Sequence, residues 1–104
     1  MRIRVRDVCP DSRMFRPDGE KLRGEILARW SVEDPLDVDF ENDTIASVSF
    51  LDEAIAVLFL EHAPEFIRAR LKTSNMTPGD RGVLNRQVAQ RIREIGQRAV
   101  GTSS

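Results

Sequence analysis

The chain holds one cysteine, one histidine, one tryptophan and no tyrosine in 104 residues. A lone cysteine, Cys9, excludes an internal disulfide framework and a cysteine-rich zinc site. It has no CxxC partner and sits among turn residues, so it reads as a bland thiol. The lone histidine, His62, has no second His and no adjacent Ser or Cys nucleophile in sequence. It reads as a cation suited to the end of an apolar helix. No apolar run reaches membrane-spanning length; the longest, Ala54 to Leu60, marks a buried element. The start, Met1-Arg2-Ile3-Arg4, is charged rather than signal-like. A soluble cytoplasmic domain is therefore expected. Gly19, Gly24, Gly79 and Gly82 form no phosphate-binding loop, and Thr77 to Gly82 lacks the Walker lysine. There is no excess of either charge: the formal net charge is −1. That balance argues against a generic polyanion binder.

What is present is one domain's worth of sequence, residues 1–100, with 101–104 expected as a flexible tail. A core this small gains from a partner or a second copy of the chain. The charges are segregated. Residues 1–30 hold eight Lys/Arg against five Asp/Glu, a net of +3. Residues 31–65 hold none against ten, a net of −10, and residues 66–104 hold eight against two, a net of +6.

Hydropathy patterning supplies the elements. Arg2 to Arg6 alternates basic and apolar, the period of a half-buried strand. A helix is expected from Pro17-Asp18, with Leu22, Ile26 and Trp30 as its buried stripe and Glu33-Asp34-Pro35 as its stop. Leu36 to Glu41 alternates again, with Leu36, Val38 and Phe40 opposite Asp37, Asp39 and Glu41. Asn42-Asp43 reads as a turn. Ser49-Phe50-Leu51-Asp52 has the spacing of a capping box, so Ser49 is expected to cap a buried helix over 50–61. Pro64 closes that region. Arg68 to Lys72 reads as a third strand, with Ala69 and Leu71 opposing Arg68, Arg70 and Lys72. Thr77-Pro78-Gly79-Asp80 opens a last helix with a buried stripe of Leu84, Val88, Ile92 and Ile95.

Strand, helix, strand, helix, strand, helix is an α/β order with mostly parallel strands. Right-handed crossovers stepping one way put the helices mainly on one face and leave the other free. The acidic strand then belongs between the two basic strands, where each opposite-charge pair contributes about 0.2–1 kcal/mol.

Asp37-Val38-Asp39-Phe40 followed by Ile45-Ala46-Ser47-Val48-Ser49-Phe50-Leu51-Asp52-Glu53-Ala54 resembles the STAS-like domain family, small bacterial domains of uncharacterised function. Arg16-x-x-Gly19 ahead of a helix and a late strand ending near Asn75 are similar too, so the resemblance covers residues 2–95. Broader relatives are STAS domains, among them anti-sigma-factor antagonists. There the strand–turn–helix carries Asp-Ser-Ser/Thr-Gly, and a partner kinase phosphorylates a Ser at the helix start. Here Ser47 stands near that Asp, Val48 near the first Ser and Phe50 near the Gly. Ser49 is the hydroxyl left at the helix start, and Ser47 is the second candidate phosphoacceptor. The resemblance implies a non-enzymatic partner-binding switch whose recognition edge includes Val48, Phe50, Asp52 and Glu53. It implies a histidine-kinase-like ATPase as partner, either a serine kinase or an anti-sigma factor. No metal and no organic cofactor is implied.

Other constellations are weaker. Asp37, Asp39, Glu41 and Asp43 could offer oxygens to a hard cation, but they project at strand spacing and read as paired surface charge. Asp52 and Glu53 point in different helix directions, so they are no catalytic pair. Arg81, Arg86, Arg91, Arg93 and Arg98 make the last helix basic. Nucleic-acid contact through that helix and the basic strands is the alternative reading. A small hydrolase is the other, and it requires His62 within reach of Ser49 or Cys9.

Overall fold

The computed structural model describes residues 1–10, 15–42 and 47–103, with side chains described as far as 96. Residues 43–46, among them Asp43 of the expected Asn42-Asp43 turn, lie outside the described residues. Three strands, β1 (Arg2–Arg4), β2 (Leu36–Asp39) and β3 (Leu71–Ser74), form a parallel sheet in the order β1-β2-β3. This is a small α/β fold, as expected, and the acidic strand is central. Register places Arg2 beside Asp37 and Asp37 beside Lys72.

The sheet has an apolar face and a charged face. Leu36 and Val38 are wholly buried, and Leu71 nearly so. On the other face Arg2, Arg4 and Lys72 are exposed. Arg2 reaches Asp37 at 3.2 Å, and the Ser74 hydroxyl donates to Asp37 Oδ1 at 2.7 Å. Such pairing explains why the strands keep an alternation that fully covered parallel strands lack.

Helices surround the apolar face. Helix α1 (Val5–Val8) follows β1 directly, so the strand expected over 2–6 ends two residues early. The period-2 pattern continues to Arg6, but Val5 turns into the core instead. Helix α2 (Arg16–Arg29) buries Leu22 and Ile26 as expected. It ends four residues before the expected stop, because Trp30 leaves the helical region at ψ 148°. The Ser31 hydroxyl then accepts from the Glu33 and Asp34 amides and makes the turn into Pro35.

The central helix occupies residues 48–61 in three pieces: α3 (Val48–Leu51), a π-helical segment (Asp52–Ala56) and α4 (Leu58–Glu61). Phe50, Leu51, Ala54, Ala56 and Leu58 are at most 1% exposed, so this helix is the buried middle of the fold. Pro64 opens a further helix, α5 (Pro64–Arg68), rather than a loop. The third strand consequently begins at Leu71 and not at Arg68. Helix α6 (Pro78–Ser103) starts as expected, with the Asp80 amide donating to Thr77 Oγ1 at 3.3 Å. Its stripe fades: Leu84 is buried, Val88 half-buried, and Ile92 and Ile95 are each 37% exposed. Among the described residues no helix is long and apolar enough to cross a membrane.

Candidate functional site

The start of the central helix packs between α2 and α6. Its cap differs from expectation. Ser47, not Ser49, is the N-cap: its Oγ accepts from the Phe50 amide at 3.2 Å. The expected box fails because Asp52 cannot reach back to Ser49. Its two oxygens are held by Arg91 of α6, at 3.0 Å from Nε and 2.5 Å from Nη2. Ser49 is therefore half-buried in the first turn. No hydrogen bond to its hydroxyl is found among the described residues.

Glu53 points the other way. It pairs with Arg16 and lies 3.4 Å from Arg23, both on α2. Arg23 also donates to the Glu53 carbonyl at 2.5 Å. Asp52 and Glu53 thus tie the central helix to α6 and α2 respectively. The π-helical segment starts at Asp52, and its wide turn is closed by the Val57 amide donating to the Asp52 carbonyl at 3.0 Å. The Arg91 pKa is raised, first by its hydrogen bonds to Asp52 and then by Glu94, against the opposing effect of burial.

The recognition edge expected over Val48, Phe50, Asp52 and Glu53 is therefore redistributed. Phe50 is wholly buried, Asp52 is 8% exposed and ion-paired, and Glu53 is ion-paired. These three build the helix start instead of facing outward. Val48 is 63% exposed, and its carbonyl accepts from Gln87 Nε2 at 2.7 Å. The outward elements of this edge are Val48 and Ser49. A small hollow of about 190 Å³ lies between Val48, Asp52 and the α6 residues Gln87, Gln90, Arg91 and Glu94.

Sequence reasoning missed the Arg partners. The resemblance pointed to Arg16-x-x-Gly19 without a role for either residue. Arg16 is the partner of Glu53, and at Gly19 α2 lies close against the backbone of the central helix. A Cβ at position 19 would lie 2.7 Å from the Phe50 carbonyl oxygen and 2.9 Å from Glu53 Cβ.

The C-terminal ends of β2 and β3 make a second polar cluster. Asp39 Oδ1 accepts from Asn75 Nδ2 at 2.9 Å and from the Glu41 amide at 2.8 Å. The Asn75 hydrogen bond, then that of the Glu41 amide, holds the Asp39 carboxyl below the usual carboxylate range. Glu41, Asn42 and Asn75 all have positive φ, and the Asn42 amide donates to the Asn75 carbonyl at 2.7 Å. The acidic strand residues are thus engaged with Arg2, Arg4, Ser74 and Asn75. Among the described residues no group of three His, Cys, Asp or Glu is placed to hold a metal.

His62 lies beyond α4, at the opposite end of the central helix from Ser49. Its ring stacks on Phe66 at 4.8 Å and meets the edge of Trp30 at 5.4 Å. Cys9 is buried, with its Sγ 3.4 Å from the Asp18 carbonyl.

Comparison with curated proteins and with solved structures finds no match. A family model does match, over residues 18–81, from Asp18 in the first turn of α2 through the central helix to the first turn of α6. The chain belongs to the family of STAS-like domains of unknown function.

Proposed function

We propose that this chain is a non-enzymatic, cytoplasmic protein–protein recognition module, switched by phosphorylation of Ser49. The observation that carries the reading is the Ser49 hydroxyl. It has no hydrogen bond among the described residues and stands beside the 63% exposed Val48 at the start of the buried helix. Ser47 is the poorer acceptor, because its Oγ already holds the Phe50 amide. The expected partner is a histidine-kinase-like ATPase, serving as serine kinase or as anti-sigma factor.

A phosphate at Ser49 would add about two negative charges one turn from Asp52. Asp52 and Glu53 are already matched by Arg91, Arg16 and Arg23. The new dianion would compete for Arg91, loosen the tie to α6 and change the surface around Val48. Phosphorylation therefore has a physical route to the partner-facing edge.

The test uses the full chain, ATP and a histidine-kinase-like ATPase with serine kinase activity. Mass spectrometry is expected to find phosphate on Ser49. Label on neither Ser49 nor Ser47 would defeat the switch. A pull-down with the same ATPase, compared with Val48→Glu, addresses recognition separately. Capture lost in the variant supports it, and no capture by the unmodified chain overturns it.

A further inference from the structure

A groove runs along the later turns of the central helix, away from Ser49. Its volume is about 440 Å³, inside the range of roughly 300–1,000 Å³ typical of ligand pockets. Ile55, Phe59, Ile67, Leu84 and Val88 supply its walls, and it opens to solvent along α6. A second hollow of about 430 Å³ adjoins it through the shared residues Phe59 and Ile92 and continues to Ile95. From Arg81 to Ile92 the apolar track follows α6 for about 16 Å.

Two guanidinium groups line the same groove. Arg68 ends α5, and Arg81 lies in the first turn of α6. Neither has an ion pair among the described residues, although ten acidic side chains fall in residues 31–65. Arg81 is held in place: Nη1 donates to Thr73 Oγ1 at 2.8 Å and Nη2 to the Thr73 carbonyl at 3.3 Å. That second bond decides what the groove can take. The Arg70 and Ser74 carbonyls accept from Leu36 and Phe40 of the neighbouring chain segment, so the alternate residue Thr73 turns its carbonyl to the free edge of β3. Arg81 occupies it, which blocks an extended peptide from adding as a strand. What remains is a fixed positive end and an apolar trough.

We propose that this groove binds a small amphipathic carboxylate, with its anionic head on Arg68 and Arg81 and its apolar body along Phe59, Val88 and Ile92. The proposal stands apart from the Ser49 switch and does not depend on it. Decanoate is the probe, titrated into the full-length chain and followed by amide chemical shifts. Saturable shifts at Ile67, Leu84, Val88 and Ile92 are expected, and their absence would overturn the site. Arg68→Ala should weaken decanoate by roughly tenfold, the loss of one charge-assisted hydrogen bond. Arg68 is exposed, so this variant is expected to keep the native spectrum. Ala89→Trp, at an exposed lining position, should fill the trough and abolish binding with the fold intact. If 1-decanol binds as tightly as decanoate, or Arg68→Ala binds unchanged, the carboxylate assignment is wrong.

Discussion

Gly19 and Phe50 touch through backbone: a Cβ on residue 19 would stand 2.7 Å from the Phe50 carbonyl oxygen. A carbonyl in a buried helix cannot yield as a flexible side chain does. Gly19→Ala should therefore destabilise the chain, by about 1–3 kcal/mol, the usual cost of overpacking. Gly24, about one and a half turns further along α2, has nothing within 4 Å of its would-be Cβ. Gly24→Ala should stabilise by about 0.5–1 kcal/mol through helix propensity and a less flexible unfolded chain. Urea unfolding of the two variants tests both signs at once. Equal effects would show that α2 does not pack on the central helix at Gly19.

Arg91 and Asp52 form a two-point ion pair whose side chains are 25% and 12% exposed. Removing Arg91 leaves a nearly buried carboxylate whose one remaining cation among the described residues is Arg16, 3.8 Å away. Arg91→Ala should cost about 2–3 kcal/mol, below the full penalty of a wholly unpaired buried charge. Arg91→Lys should recover only part, because an ammonium cannot make both bonds of the guanidinium fork. A double-mutant cycle with Asp52→Asn isolates the pair, and a coupling energy near zero would contradict the geometry.

Asp39 titrates below the ordinary carboxylate range because Asn75 and the Glu41 amide donate to it. A folded pKa below the unfolded one stabilises above the unfolded value, and that stabilisation is lost as pH falls through the folded value. Asn75 has φ 55°, so Asn75→Gly keeps the backbone and removes the donor. The Asp39 pKa should then rise toward 3.8, and the stability lost on acidification should become smaller, because less of the shift remains to be lost. Carboxyl carbon NMR titration of both proteins reads the shift. An Asp39 that titrates alike in the two would overturn the role given to Asn75.

The strand order was legible in the sequence because charge is written along it. Blocks of +3, −10 and +6 leave one arrangement of three strands that avoids like neighbours, and the register of Arg2, Asp37 and Lys72 follows it. The third strand was misplaced by three residues. Arg68 to Lys72 does alternate, but Pro64 starts a helix whose Ile67 is buried, and packing overrides the pattern. The carboxylates of the candidate site were visible and their environment was not. Asp52 and Glu53 look like exposed first-turn residues, and only the folded chain brings Arg16, Arg23 and Arg91 to them. Arg91 lies 39 residues from Asp52, and no local period reports a contact of that range.

The two serines of the helix start should separate by role. Ser47 supplies a cap to the Phe50 amide, so Ser47→Ala should cost about 1 kcal/mol in urea unfolding. Ser49 has no hydrogen bond to lose among the described residues, so Ser49→Ala should stay within about 0.5 kcal/mol of the unmodified chain. The difference matters for the switch. If Ser49 were the cap, its phosphorylation would act by unravelling the helix start, and the alanine variant would imitate that loss. With Ser47 as the cap, Ser49→Ala keeps the fold and removes only the acceptor. Partner capture by Ser49→Ala should therefore persist in the presence of ATP, while capture by the unmodified chain declines as it is labelled. A Ser49→Ala chain that loses capture with ATP as the unmodified chain does would place the control elsewhere.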